Sequence, residues 1–370
     1  ELKDTSGPEF GSKHLEALTE RRLGTAAVAT ADGRAFGWGA GDHAKDANFA
    51  TRNIVDDDAL LFDFVVETNK LPADRFREYY GVALKAAENA GVPARRRKRE
   101  AKAEAIAQLE EEAKDGRFKK WSQVPIFWDA IRNRVYYGTG SLAHVDRFAE
   151  MFEDTFKLSR GTLRLATAGT IGAQEVDAVG DVLELHTCSE FVPDVTPAEP
   201  EWGVTNEPVW FGNEFLVWLW CGRGGSVLDE VTFADNTRLV GMFNGGVKLD
   251  CPRGETGDDT INATCGPRTP EARTALRLGK LPREAGLTIV TNDNQYAFKF
   301  DAELFAFKSL KLPKYEGLAD GAPLARLRWV REVAETFEKL YRQFLKLRLS
   351  TRWAKELEQI REFIQEGVKC

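Results

Sequence analysis

The chain has 370 residues, of which 43% are hydrophobic and 29% charged, and its formal net charge is −7. This length predicts about two domains or one lobed domain, and the composition is globular, which excludes a chain disordered throughout and a fibrous repeat. The densest apolar runs, residues 60–66 and 215–220, fall far short of the roughly 20 residues that a bilayer-spanning helix needs, so we expect no membrane partner.

The first third of the chain predicts a strand followed by a helical arm. The glycines at 37, 39 and 41 predict a turn, and residues 59–68, rich in Leu, Phe and Val, predict a buried strand. Pro72 at a first helical position opens a helix, which Gly91 and Pro93 end. Another helix of about 20 residues, hence about 30 Å, is expected from Ala94. It is too polar for a core, so residues 71–123 are predicted to form a projecting helical arm.

Charge is strongly polarised along the second helix of this arm. Its start carries Arg95, Arg96, Arg97, Lys98 and Arg99 with Lys102, and its end carries three consecutive glutamates at 110–112. The helix macrodipole favours the opposite order, with acids in the first turn and bases in the last. Two interpretations remain open: a solvated, salt-bridged helix face, or a basic surface that serves an anionic partner.

The middle of the chain predicts a hairpin, a helix and a boundary. Residues 126–128 and 135–137 predict two strands around a turn, and Ser141 is placed to cap the next helix. Phenylalanines at helical spacing, at 148, 152 and 156, predict that this helix packs on a core. Four prolines within residues 190–208 predict a linker, and the domain boundary is placed there.

The second half predicts short strands and then helices. Strands are expected at 215–220, 227–233, 247–251, 287–291 and 296–300, with one helix near 270–278 and a tight hairpin turn at Asn292-Asp293-Asn294. Residues 308–355 hold twelve bases against five acids, so this segment carries +7 and the rest of the chain −14. The predicted regions are residues 1–70 with 124–190 as a central α+β region, 71–123 as the arm, 201–318 as a mostly β region, and 319–370 as C-terminal helices.

No catalytic constellation is evident in the sequence, so we predict neither an enzyme nor a metal or cofactor site. The four histidines are scattered and lack metal-binding spacing. The acidic runs Asp56-Asp57-Asp58 and Asp258-Asp259 could hold Mg²⁺ for nuclease chemistry, but adjacent carboxylates point in different directions, which favours solvated loops. Five cysteines without Cys-x-x-Cys spacing favour reduced thiols, and no basic segment followed by an apolar stretch opens the chain, so we expect a cytoplasmic protein.

Several motifs, in order and spacing, resemble the RdgC family of recombination-associated proteins over most of the chain. They are the Phe-Gly-Trp at 36–38, the charged arm, the Phe-Lys-Lys-Trp-Ser-Gln at 118–123, the Trp128 hairpin, the Glu-Phe-Leu-Val-Trp-Leu-Trp at 214–220, and the segment 305–314. The resemblance implies an α+β fold: an elongated, multi-lobed subunit with antiparallel sheets, a projecting helical arm and C-terminal helices.

The resemblance also implies a function. Two subunits of the family close a ring around double-stranded DNA, bind it without sequence specificity and restrain RecA-driven strand exchange, which implies a nucleoid-associated homodimer that affects RecA filaments indirectly. Phe118, Lys120 and Trp121 match an exposed aromatic finger with its neighbouring base, and Lys311 matches a basic position before the C-terminal helices. The residues expected to contact DNA are Arg95, Arg96, Arg97, Lys98, Arg99, Lys102, Phe118, Lys119, Lys120, Trp121, Lys308, Lys311 and Lys314. The alternatives are a metal-dependent nuclease that uses residues 56–58 and a protein-binding adaptor that uses the arm.

Overall fold

The computed structural model describes residues 2, 9–24, 34–56, 58–181, 183, 186–193, 195, 207–221, 227–252, 257–264, 266–318 and 321–365. They fold as two units, Glu1–Leu163 and Arg164–Cys370. Both units combine helices with an antiparallel sheet, so the chain has an α+β fold. Among the described residues, every helix is too short or too polar to cross a bilayer. The boundary between the two units, after Leu163, precedes residues 190–208, the proline-rich segment in which the sequence predicted a linker. Most of that segment lies outside the described residues.

The first unit is built on a sheet in the order β1-β3-β4-β5, with β2 paired to β3. Phe62 and Phe64, alternate residues of β3, pack on Trp38, and Phe64 also packs on Phe148 of the helix α4 (Val145–Phe156). Its elements are α1 (Ser12–Glu20), β1 (Arg34–Gly39), β2 (Ile54–Val55), β3 (Ala59–Asn69), α2 (Ala73–Asn89), α3 (Ala94–Ala113), β4 (Lys119–Asp129), β5 (Arg134–Tyr137) and α4 (Val145–Phe156).

The second unit packs helices on one face of a sheet in the order β11-β10-β9-β7-β6, with β8 paired to β7. Its core joins the sheet to aromatic side chains of α6 and α8, including Phe215, Phe337, Tyr341 and Phe344. Its elements are α5 (Ala168–Ala178), α6 (Trp210–Cys221), β6 (Val227–Thr232), β7 (Arg238–Asp250), β8 (Asp259–Ile261), α7 (Pro270–Arg277), β9 (Leu281–Thr291), β10 (Asn294–Asp301), β11 (Ala306–Lys311), α8 (Ala322–Arg348) and α9 (Trp353–Gln365).

The strand predicted at residues 215–220 is wrong, because these residues belong to the helix α6. Nearly every residue of α6 is buried, including Asn213 and Glu214. A helix covered on all sides has no polar face, so its sequence shows no 3.6-residue period and resembles a buried strand. Arg348 Nε lies 2.6 Å from Glu214 Oε2, an ion pair that compensates the buried charge.

The turn predicted at 37–41 is also wrong in its first half, because Gly37 and Gly39 lie within β1. A Cβ atom at Gly37 would lie 2.4 Å from Leu23 Cα, and one at Gly39 would lie 2.8 Å from Val65 Cγ2. The glycines therefore permit close packing over the sheet rather than a reversal of the chain. The chain turns only afterwards, at Gly41, where φ is +112°.

Smaller differences concern helix ends, whereas both predicted hairpins are confirmed. Pro72 is the N-cap of α2 rather than its first residue. His144, with a φ of 71°, is the N-cap of α4, so Ser141 does not cap that helix; its Oγ accepts a bond from the Ala143 N–H. The strands β4 and β5 pair antiparallel, and β9 and β10 are joined through Asn292 and Asp293, which both have positive φ as a type I′ turn requires.

Candidate nucleic-acid interface

The helices α2 and α3 form an antiparallel pair, here called the arm, which is anchored at one end to the sheet of the first unit. At the anchored end Asn69 Nδ2 donates a hydrogen bond to the Ala113 carbonyl oxygen, and the Tyr79 hydroxyl binds Glu112. At the other end Gly91 and the residues next to it connect the two helices. Since α3 has 20 residues at 1.5 Å each, the start of α3 lies about 30 Å along the helix from its anchored end.

One side of α3 near this far end carries a cluster of exposed bases, here called the basic tip: Arg95, Lys98, Arg99 and Lys102. These positions have the spacing i, i+3, i+4 and i+7, which places them on the same side of a helix. None of the four has a carboxylate partner among the described residues. The acids Glu100 and Glu104 lie on the opposite side of the helix by the same spacing rule. The basic tip therefore presents four charges in one direction.

Two other members of the predicted basic run are used within the arm. Arg97 donates through Nε and Nη2 to the Val92 carbonyl oxygen, and its Nη1 lies 2.9 Å from Glu88 Oε1. Arg96 Nη2 lies 3.2 Å from Glu100 Oε1, one turn further along the helix. Arg97 thus fastens the connection between α2 and α3, and Arg96 is partly neutralised. The solvated-face and basic-surface interpretations each describe part of this helix.

The predicted finger residues lie where the chain returns from the arm into β4. Phe118 is half-buried in the preceding turn, and Lys120 is exposed. Lys119 Nζ lies 2.8 Å from Glu67 Oε1, so its charge is neutralised by the neighbouring strand β3. Trp121 is half-buried rather than projecting freely, because its Nε1 donates to Glu67 Oε2 at 2.9 Å.

Lys45 is a neighbour of Trp121 that sequence reasoning missed. Its Nζ lies 4.0 Å from the centre of the Trp121 ring, a cation–π contact. Lys45 belongs to residues 40–50, the segment that leaves β1 and folds back towards the sheet, as the bond from the Ala40 N–H to the Asp46 carbonyl oxygen shows. The contact joins positions far apart in sequence, so no local pattern could have indicated it.

Of the three lysines predicted in the second unit, Lys308 is engaged by acids. Its Nζ lies 2.7 Å from Asp301 Oδ2 and 2.9 Å from Glu284 Oε2. Although burial opposes it, these two carboxylates raise the pKa of Lys308 above its ordinary value. Lys311, on the edge strand β11, and Lys314 are exposed and have no ion pair among the described residues. Of the three predicted lysines, Lys311 and Lys314 therefore remain available to an anion, whereas Lys308 does not.

Part of the wider C-terminal excess of bases is matched by acids elsewhere in the second unit. Lys339 pairs with Asp235, Arg342 with Glu175 and Glu338, and Arg348 with Glu214. The segment appeared basic in the sequence because its counter-charges lie far away along the chain. Internal ion pairing therefore accounts for these three bases, whereas Arg326, Lys346, Arg352 and Lys355 are exposed and have no ion pair among the described residues.

The acidic runs considered for Mg²⁺ do not form a metal site in the described part of the chain. Asp57 lies outside the described residues. Lys248 Nζ lies 3.0 Å from Asp258 Oδ2, and Lys280 Nζ lies 2.7 Å from Asp259 Oδ2. Within the described residues no group of three His, Cys, Asp or Glu side chains could hold a metal ion.

Two buried carboxyl groups have raised pKa values, one in each unit. Burial, followed by the charge of Asp46, raises the pKa of Asp63 to about 6. Burial raises the pKa of Glu303 to about 7, against the opposing effect of Arg283, whose Nη2 lies 3.0 Å from Glu303 Oε2. Arg283 also pairs with Asp250 at 2.8 Å, so one guanidinium serves two carboxylates and leaves Glu303 incompletely compensated.

Comparisons with known proteins leave the family open: no protein-family model matches the chain, and no curated protein matches it. The resemblance to the RdgC family therefore stays a prediction that rests on the motifs given above.

Proposed function

We propose that the protein binds double-stranded DNA without regard to base sequence, with the basic tip of the arm as a principal contact. The observation that supports this proposal is the basic tip itself: four exposed cations on one side of α3, none of which has an acidic partner in the described residues. An ordinary solvated helix face would intersperse its charges. Here the acids nearest to the basic tip, Glu100 and Glu104, lie on the other side of the helix.

Physical chemistry explains how an acidic protein could bind a polyanion in this way. A duplex carries a dense row of phosphates, and each Lys or Arg that displaces condensed counterions adds affinity that does not depend on sequence. What matters is the local concentration of bases, which the net charge of −7 hides. Exposed Lys311 and Lys314 would add further contacts from the second unit.

The finer proposal follows the resemblance to the RdgC family. The subunit would be elongated and multi-lobed, would pair as a homodimer, and would close a ring around duplex DNA that restrains RecA-driven recombination in the nucleoid. Closed two-fold pairing is the commonest symmetry of soluble assemblies. In a dimer the basic tips, Lys311 and Lys314 would together offer twelve cations, of which we take about six to contact phosphate, giving a slope of log affinity against log salt near −5.

The test replaces Arg95, Lys98, Arg99 and Lys102 together by Ala and follows duplex binding over a salt series. Each lost phosphate contact should make the slope shallower by about 0.9, equally on duplexes of unrelated sequence. The matched control replaces four exposed bases of the C-terminal helices and their connection, Arg326, Lys346, Arg352 and Lys355, and should keep the slope. Unchanged affinity and slope in the arm variant would show that the basic tip is a solvated face or serves a protein partner.

A further inference from the structure

Glu303 is a buried acid of the second unit that has only a share of one cation. It lies in residues 302–305, which connect β10 to β11, and it is 1% exposed. Neither of its carboxyl oxygens accepts a hydrogen bond from the described residues. Its ion pair is with Arg283, whose Nη2 lies 3.0 Å from Oε2, and the same guanidinium lies 2.8 Å from Asp250.

Two further buried carboxylates lie near Glu303, and each has a lysine partner. Asp301 Oδ2, at the end of β10, lies 2.7 Å from Lys308 Nζ of β11. Asp250 Oδ1, at the end of β7, lies 3.2 Å from Lys248 Nζ in addition to its contact with the guanidinium of β9. Both lysines are also shared with a second acid, Glu284 for Lys308 and Asp258 for Lys248.

The three buried carboxyl groups therefore leave a negative excess that a proton on Glu303 would relieve. A buried carboxylate is costly unless it is paired and hydrogen-bonded, and Glu303 meets these conditions least well of the three. Burial raises the pKa of Glu303 to about 7. Arg283 opposes this rise, whereas the charges of Asp301 and Asp250 add to it.

The helices near Glu303 present uncharged groups to it in the described part of the chain. From α6 comes the amide side chain of Asn213, and the charge of the next residue, Glu214, is paired with an arginine of α8. From α5 comes the backbone of Ala168. From α8 comes the Tyr341 hydroxyl, which donates to the Ala168 carbonyl oxygen.

The backbone around Glu303 joins two helices to the sheet. The Glu303 carbonyl oxygen accepts a hydrogen bond at 3.0 Å from the N–H of Ala168, the first residue of α5. Ala302 donates its N–H to the Arg283 carbonyl oxygen, and a Cβ atom at Gly212 of α6 would lie 1.8 Å from the Ala302 carbonyl oxygen. Water can reach the buried carboxyl group only if one of these contacts opens.

We propose that Glu303 is a proton-controlled latch between α5 and the connection from β10 to β11. With its proton the carboxyl group is neutral and stays buried, and the connection holds the first residue of α5. Without its proton the carboxylate needs water, and the contact with Ala168 opens to admit it. The bond from Ala302 to Arg283 continues the pairing of β9 with β10, so α5 is the element that moves. The latch lies within the second unit and does not depend on DNA.

The open form of the latch becomes more populated as the pH rises. In the open form the hydrated carboxyl group releases its proton near the ordinary value of 4.5, whereas the closed form keeps the proton up to about pH 7. The closed form therefore loses its advantage between these two values, by up to about tenfold in the ratio of open to closed for each pH unit. Above about pH 7 both forms are ionised and the ratio stays constant.

Amide hydrogen exchange of the full chain tests the latch between pH 5 and pH 7. Protection of the Ala168 amide, corrected for the intrinsic pH dependence of exchange, should fall about tenfold or more over this range. At pH 7 it should lie about tenfold or more below the protection of Ile289, in the central strand β9, because a local opening exposes only the first of these amides.

Two variants identify the group that carries the proton. Glu303→Gln cannot ionise, so its Ala168 protection should not fall between pH 5 and pH 7. The matched control is Glu358→Gln, which alters an exposed carboxylate of α9 and should keep the wild-type fall. Equal protection of Ala168 and Ile289 at every pH would overturn the latch, because the proton would then stabilise the whole unit.

Carbon NMR of the wild type, labelled with ¹³C at its glutamate carboxyl groups, gives a measurement that does not depend on how Glu303→Gln folds. One glutamate resonance should titrate with a midpoint at about pH 7. Asp301→Asn should move this midpoint to lower pH, because it removes a charge that raises the pKa of Glu303. Titration of every glutamate near its ordinary value, or a flat Ala168 protection in the wild type, would overturn the latch.

Discussion

Asp63 places a carboxyl group in the most buried part of β3, between Phe62 and Phe64. The side chain is 2% exposed, and its Oδ2 has no hydrogen-bond partner in the described residues. The apolar run around it predicted a buried strand, but sequence alone could not show which acid would lie near this carboxyl group. Asp46, which adds to the effect of burial, comes from the segment after β1.

The raised pKa of Asp63 makes the first unit less stable as the pH rises. The folded form keeps the proton up to about pH 6, whereas the unfolded chain releases it near 3.8, so stability falls between these values and stays lower above them. The unfolding free energy of Asp63→Asn should not show this fall. We therefore expect the difference between the variant and the wild type to increase by about 2 kcal/mol in favour of the variant between pH 4 and pH 7. Urea unfolding of both proteins across this range measures it.

The matched control for this measurement is Glu104→Gln, which alters an exposed carboxylate in the middle of α3 that has no ion pair among the described residues. Its unfolding free energy should follow that of the wild type through the same pH range. If Asp63→Asn also follows the wild type, Asp63 does not carry a proton in the folded protein at pH 5, and the physical description of its burial is incorrect.

At the scale of elements, α3 could be predicted from the sequence and α6 could not, because the two helices differ in how much of their surface contacts the rest of the protein. The helix α3 contacts little besides α2, through Ala101, Ala105 and Leu109, so local sequence determines it and its predicted start at Ala94 is confirmed. The helix α6 is surrounded by the second unit, so its sequence reflects its neighbours rather than its own period. The close approaches at Gly37 and Gly39 and the pairing of Lys45 with Trp121 likewise depend on distant residues.

The start of α3 retains bases where the helix macrodipole disfavours them. Its first turn contains no acid, and its N-cap Pro93 offers no side-chain hydrogen bond. Arg95→Glu should therefore stabilise the helix by about 0.3 to 1 kcal/mol while weakening duplex binding, because the same charge that destabilises the helix attracts phosphate.

Amide hydrogen exchange of residues 94–102 measures the first effect, and duplex affinity at fixed salt measures the second. Arg95→Gln, which removes the charge without reversing it, should give smaller changes in the same directions. A variant that loses both helix protection and DNA affinity would show that Arg95 is needed for the fold of the arm rather than for an anionic ligand.

At the scale of the whole molecule, the distribution of charge is more informative than its sum. In the second unit, three bases of α8 pair with acids on other elements, so part of the C-terminal excess is neutralised within the fold. In the first unit, the basic tip is separated from the acids of the same helix. The sequence predicted a basic zone at the start of α3 and another at residues 308–355. Only the structure distinguishes internal ion pairs from exposed cations, because tertiary contacts determine which acid lies next to each base.

The most direct test of DNA binding through exposed cations is the salt dependence of the wild-type protein on two duplexes of unrelated mixed sequence. Electrophoretic mobility shifts over a salt series give the affinity at each concentration. Binding through exposed cations predicts the same line for both duplexes, with a slope of log affinity against log salt near −5, as expected for about six phosphate contacts. A slope near zero, or retention on one duplex and not on the other, would contradict it.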